Sequence, residues 1–144
     1  METASMGKTV VTAKIENMED LFGVIRGSIK PEEVRTIEVP DALVDTGATL
    51  LSIPKRYIDQ LGLRPFQTRR ARSSTGITES QIYGMVRLTI QGRECRVDVA
   101  EIADECPVLI GQVPLEQLDF VVDPIARKLI GNPEHGGEHM FDLF

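Results

Sequence analysis

The sequence predicts an all-β domain with one or two short helices, on three observations. Apolar residues recur mostly at every second position, in runs of strand length. Glycine, proline and small polar residues separate those runs. Helical spacing replaces the alternation at residues 54–63 and 113–118.

The elements follow in order. "KTVVTAKI" reads as a strand, as do "VRTIEV" and "DALVD". "PKRYIDQLGL" is the first helix, with Pro54 at its start and Gly62 at its end. "FQTRRARSSTGITESQIYGMVRLTI" reads as two extended arms around a polar tip at Ser73–Gly76. "RECRVDVAEI" alternates as a strand, and "CPVLIG" is a short buried one. "VPLEQL" supplies one or two helical turns. "DFVVDP" and "ARKLIGN" are strands around a turn at Asp123–Pro124. The apolar set Leu88, Ile90, Val97, Val99, Ile102, Val108 and Leu129 is the expected core.

A length of 144 residues fits one domain. Residues 1–7 read as a flexible leader, 8–131 as the domain and 132–144 as a C-terminal tail. A hydrophobic share of 42% suits a water-soluble core. The net charge of -6 argues against wrapping nucleic acid by charge, so no nucleic-acid partner is expected. No apolar stretch is long enough to span a bilayer, so no membrane partner is expected. The opening "METASMGKTV" lacks the apolar segment of a signal peptide. Cys95 and Cys106 lie in strand-like contexts without metal-ligand spacing and are expected to be reduced and packed. These features fit a cytoplasmic setting.

One stretch carries chemistry. In "ALVDTGATLLSIP", residues 42–54, a lone carboxylate ends an apolar run. Asp45 follows Leu43 and Val44, so a buried position is expected. Burying an unpaired carboxylate costs several kcal/mol. Gly47 permits a sharp turn and close approach of another backbone. Thr46 supplies a hydroxyl. Asp-Thr-Gly alone also suits a plain β-turn.

The longer pattern resembles the active-site stretch of pepsin-like aspartic proteases, in the short single-domain form of the retropepsins. Leu43, Val44, Asp45, Thr46, Gly47, Ala48 and Thr49 fill that family's pattern without a gap. Near the C-terminus, Leu109, Ile110 and Gly111 precede a helix, as in the family's second signature. Between the two, "RRARSSTGITESQIYG" stands where the family places a flap hairpin. The resemblance runs in order over roughly residues 8–131. It implies a retropepsin-like acid-protease β-barrel, active as a homodimer.

The chemistry explains the single aspartate. Two carboxylates at about 3 Å share one proton because both cannot ionise. One chain has one Asp-Thr-Gly, so the second Asp45 must come from a second copy across a twofold axis. The resemblance implies catalytic roles for Asp45, Thr46 and Gly47. Substrate contacts are expected from the flap residues Ser74, Thr75, Gly76 and Ile77, and from the pocket residues Ala48, Leu109, Ile110 and Gly111. The expected substrate is a peptide or protein, with no cofactor and no metal. The alternative from another class is a retropepsin-like dimerisation or peptide-binding module with little or no turnover. Intact Asp45, Thr46 and Gly47 favour the enzyme.

Arg69, Arg70 and Arg72 read as a solvated strand edge, with a taste for acidic substrates as the sharper alternative. His135 and His139 are four apart, but Gly136 and Gly137 oppose the helix that would bring them onto one metal. They read as part of a mobile polar tail. Phe141, Leu143 and Phe144 are apolar exceptions in that tail, suited to docking on the domain or a partner.

Overall fold

The computed structural model describes residues 8–144. The leader expected at 1–7 lies outside the described residues. In chain order the elements are β1 (Thr9–Asn17), α1 (Met18–Arg26), β2 (Thr36–Val44), β3 (Leu51–Pro54), α2 (Lys55–Leu61), β4 (Arg64–Ser73) and β5 (Gly76–Ile90). There follow β6 (Arg93–Ile102), β7 (Leu109–Ile110), α3 (Gln112–Leu118), β8 (Phe120–Asp123) and β9 (Lys128–Gly131).

The main sheet runs β1-β2-β7-β3-β6-β5-β4, and an extra pairing of β1 with β5 closes six of its strands into a ring. β4 stays outside the ring as one arm of a hairpin, and among the described residues it pairs with β5 alone. β8 and β9 form a separate two-stranded sheet. Alternation drives the ring. Along β1 the buried residues Val11, Ala13 and Ile15 face inward while Val10, Thr12 and Lys14 face out. Leu88, Ile90, Val97, Val99, Val108 and Leu129 are in the core as expected, whereas Ile102 is half-buried at the end of β6.

"VRTIEV" and "DALVD" belong to one strand. β2 runs through Pro40 because Pro40 and Asp41 bulge opposite Thr12, where no ladder bond is required of proline. Helix α1 precedes the one expected to be first. Asn17 caps it, accepting from the Asp20 amide at 3.0 Å, and Gly27 ends it in the left-handed conformation. Helix α2 follows the expected span and ends at a left-handed Gly62.

The mobile-tail reading needs correction. Asp119 ends α3 in a left-handed conformation and is buried. Its carboxylate meets His135 Nδ1 at 2.7 Å and accepts from the Met140 amide at 3.1 Å and the Asn132 amide side chain at 3.2 Å. Arg93 donates to the carbonyls of Leu118, Asp119 and Gly137. The tail therefore folds back along α3 because a buried carboxylate needs these partners. Gly131 permits the return, since a Cβ there would lie 2.3 Å from the Gly137 carbonyl oxygen. Cys95 and Cys106 are free and half-buried. Among the described residues no helix is long and apolar enough to cross a membrane.

Candidate active site

β7 is only two residues long, yet it positions everything around Asp45. It lies between β2, which runs parallel to it, and β3, which runs antiparallel. Leu43 and Val44 pair with Leu109 and Ile110, and the same two residues of β7 pair with Ser52 and Leu51. The chain between β2 and β3 must therefore loop over the end of β7. That loop is Asp45–Leu50.

Backbone bonds fix both of its ends. The Leu43 amide donates to Val108 at 2.8 Å and the Asp45 amide to Ile110 at 2.9 Å. The Ala48 amide returns to the Asp45 carbonyl at 3.1 Å, closing a turn. The Asp45 Oδ1 accepts from the Gly47 amide at 2.9 Å, so the side chain braces its own loop. Oδ2 has no hydrogen-bond partner among the described residues.

The loop is also held from behind. The Gln112 amide donates to the Ala48 carbonyl at 2.8 Å, and the Val113 amide to the Thr49 carbonyl at 2.9 Å. The first amides of a helix have no partner within it, so α3 uses its free donors to clamp the loop. Gly111 makes the approach possible. A Cβ there would stand 2.4 Å from the Leu50 carbonyl oxygen and 2.8 Å from that of Ala48.

Asp45 is half-exposed, which corrects the expectation of a buried carboxylate. The apolar neighbours belong to β2, which ends at Val44, and beyond that point the chain leaves the sheet. Thr46 and Gly47 are exposed and Ala48 is half-buried beside them. Ile110 is fully buried and Gly111 buried, with Leu109 half-buried, so these residues support the loop from beneath. The carbonyls of Val108 and Thr49 and the amides of Gln112 and Val113 complete the support. Sequence reading named Thr49 only within the active-site pattern and Val108 only as core, and gave Gln112 and Val113 no part in the site, although Gly111 between an aliphatic pair and a helix marked the place.

The hairpin tip forms where expected. Ser73 pairs with Gly76, and Gly76 has a positive φ of 127°. The Ser73 hydroxyl lies 3.0 Å from that of Thr75 and donates to the Gly76 carbonyl at 3.3 Å. Ser74, Thr75, Gly76 and Ile77 are all exposed. A groove of about 710 Å³ lies between β5, β6 and α3, bounded by Arg87, Cys95, Glu116 and Phe141. A smaller one of about 160 Å³ shares Arg96, Val113 and Gln117 with it and reaches Leu50. Neither includes Asp45 or the hairpin tip. No group of three or more His, Cys, Asp or Glu is arranged to hold a metal among the described residues.

The chain matches no curated protein at a significant level. Residues 33–122 match a family described as aspartyl protease. The match contains the Asp45 loop, the whole β4–β5 hairpin and the β7–α3 junction. It spans well over half of the chain, and the ring-shaped sheet is that of a retropepsin-like β fold. With its Asp-Thr-Gly loop seated on β7 and clamped by α3, this chain belongs to an aspartyl protease family of retropepsin-like type.

Proposed function

We propose that the chain is an aspartic endopeptidase whose working unit is a homodimer, acting on peptide or protein substrates in the cytoplasm. The observation that carries this reading is the Asp45 loop itself. A half-exposed carboxylate stands on a rigid turn with one oxygen braced and the other unpartnered, next to exposed Thr46 and Gly47. A single such carboxylate lacks the second acid that peptide hydrolysis on a dyad requires. A second chain, related by a twofold axis, supplies it and covers the exposed loop.

In that arrangement the two Asp45 side chains share one proton. The ionised one takes a proton from a bound water as the water attacks the scissile carbonyl. The protonated one gives its proton to the carbonyl oxygen, so a neutral tetrahedral adduct forms. Proton transfer to the amine then releases the two products. Gly47 keeps the loop slim enough for two copies to meet, and Thr46 offers a hydroxyl to the facing loop. The β4–β5 hairpin, with Ser74, Thr75, Gly76 and Ile77 at its end, covers the bound peptide and excludes water.

The test is cleavage of an unfolded protein substrate by the wild-type chain and by Asp45→Asn. The substitution keeps the side chain's shape and its Oδ1 acceptor for Gly47. Wild-type cleavage that vanishes in a folded Asp45→Asn variant supports the assignment. Equal cleavage by both forms overturns it.

A further inference from the structure

The β4–β5 arm carries a charge of the opposite sign to the rest of the molecule. Residues 64–82 contain Arg64, Arg69, Arg70 and Arg72 against the single acid Glu79, in a chain whose net charge is -6. Arg64 is neutralised by Glu19, at 3.0 and 2.8 Å. The other three are exposed and, among the described residues, their side chains form no ion pair or hydrogen bond. Even Arg70, directly across the ladder from Glu79, makes no ion pair with it. By contrast Arg35, Arg56 and Arg87 each hold a carboxylate.

These three sit on an unpaired edge. Among the described residues β4 has β5 on one side and no strand on the other. Nearly all of its residues are exposed, so neither of its faces is buried in the core. Such an edge presents backbone donors and acceptors to any extended chain that comes alongside. Strand alternation places Arg70 and Arg72 on one face and Arg69 on the other. The charges choose among occupants. A second copy pairing through β4 would bring arginine clusters together, and like charges in facing strands repel. An extended segment with consecutive carboxylates would meet guanidinium groups at three of the four positions 69–72, on both faces of the edge.

We infer that the outer edge of β4, through Arg69, Arg70 and Arg72, is a docking strand for extended acidic segments of the protease's substrates. The inference rests on the proteolytic reading for the word substrate, while the docking itself needs no catalysis. Guanidinium forks match carboxylates well, and the open backbone edge adds ladder bonds that carry no sequence preference. Nucleic acid also carries negative charge. It offers no peptide backbone for the edge, and Phe66 is the one aromatic residue in β4 for stacking.

The experiment uses the Asp45→Asn chain, so that binding is read without turnover. The probe is a fluorescein-labelled ten-residue peptide with a central Glu-Glu-Glu flanked by valine and threonine. The near-isosteric peptide with Gln-Gln-Gln is the control. Fluorescence anisotropy should show the acidic probe binding at least about tenfold more tightly than the glutamine control. Adding Arg69→Glu, Arg70→Glu and Arg72→Glu together should remove that preference, and Gln at the three positions should reduce it. N-methylation of alternate amides along one edge of the probe should weaken binding by removing the ladder donors. Equal affinity for the two peptides overturns the inference, as does an acidic preference that survives charge reversal. Tighter binding of a single-stranded oligonucleotide of equal charge also overturns it, in favour of nucleic acid. If cleavage fails but docking holds, the proteolytic reading alone is lost.

Discussion

The Asp45 amide donates to the Ile110 carbonyl at 2.9 Å, and this one bond sets where the carboxylate leaves the sheet. Ile110 is fully buried between β2 and β3, so the bond ties a half-exposed acid to a buried strand. Rigid support from beneath is what a reacting carboxylate needs, because its position must hold while bonds rearrange.

Gly111→Ala should damage both stability and cleavage. The new Cβ would lie 2.4 Å from the Leu50 carbonyl oxygen, and the obstacle is backbone. Overpacking of this kind costs about 1–3 kcal/mol. A thermal melt should show the loss, and remaining folded protein should cleave more slowly because Ala48 and Thr49 are pushed off α3. An unchanged melting temperature and rate would contradict the clamp.

Gly62→Ala should also destabilise, for a different reason. Gly62 has a φ of 63°, a conformation that costs a side chain about 1–2 kcal/mol. A Cβ would further stand 1.9 Å from Arg35 Nη1. Arg35 cannot yield freely, because Asp20 grips it at 2.8 and 2.9 Å. Chemical denaturation should show a loss that shrinks when Arg35 is also shortened to alanine.

The docked tail should respond to pH through Asp119 and His135. The hydrogen bond from His135 holds the Asp119 carboxyl down at about 2, with the Met140 amide and Asn132 assisting. Asp119 in turn raises the His135 pKa above its ordinary value, with Asp142 adding to the effect. Arg93 is the other charge at this junction, bound to the carbonyls beside Asp119. A raised histidine pKa means that its stabilisation is fully present below about pH 6.5 and fades as pH rises through the folded value. A lowered carboxyl pKa means that its share is present above about pH 4 and fades as pH falls toward the folded value. The melting-temperature deficit of His135→Ala should therefore be largest between about pH 4 and 6.5 and smaller at pH 9. A deficit independent of pH would contradict the linkage.

Cys95 should be a sluggish thiol. Burial pushes it up to about 12, partly offset by Arg96. Three units above the ordinary value leave roughly a thousandfold less thiolate at neutral pH. Iodoacetamide labelling followed by mass spectrometry should therefore leave Cys95 unmodified under conditions that alkylate a free cysteine peptide.

How far the sequence reveals all this depends on the range of the interaction. Period-two runs marked β1, β5 and β6, and Gly76 marked the hairpin tip, because these signals are local. Gly111 marked the junction that seats Asp45. Helix α1 stayed hidden because Gly23 interrupts its apolar face and its cap, Asn17, is also the last residue of a strand. Asp45 was expected to be buried because Leu43 and Val44 are apolar, but the end of β2 is decided by β7, far along the chain. The tail looked free because its anchor, Asp119, speaks to His135 and Met140 across a chain reversal. The closure of β1 on β5 is likewise a long-range pairing with no local sign.

If one active site needs an Asp45 from each of two chains, mixing wild type with Asp45→Asn should silence most of the wild-type chains. Wild-type chain is equilibrated with a ninefold excess of Asp45→Asn at a total concentration where the protein is dimeric, and cleavage is measured per wild-type chain. If the site is shared, random pairing leaves about one wild-type chain in ten with a wild-type partner, and activity falls about tenfold. If each chain carries a complete site, activity per wild-type chain stays unchanged, and the account is contradicted.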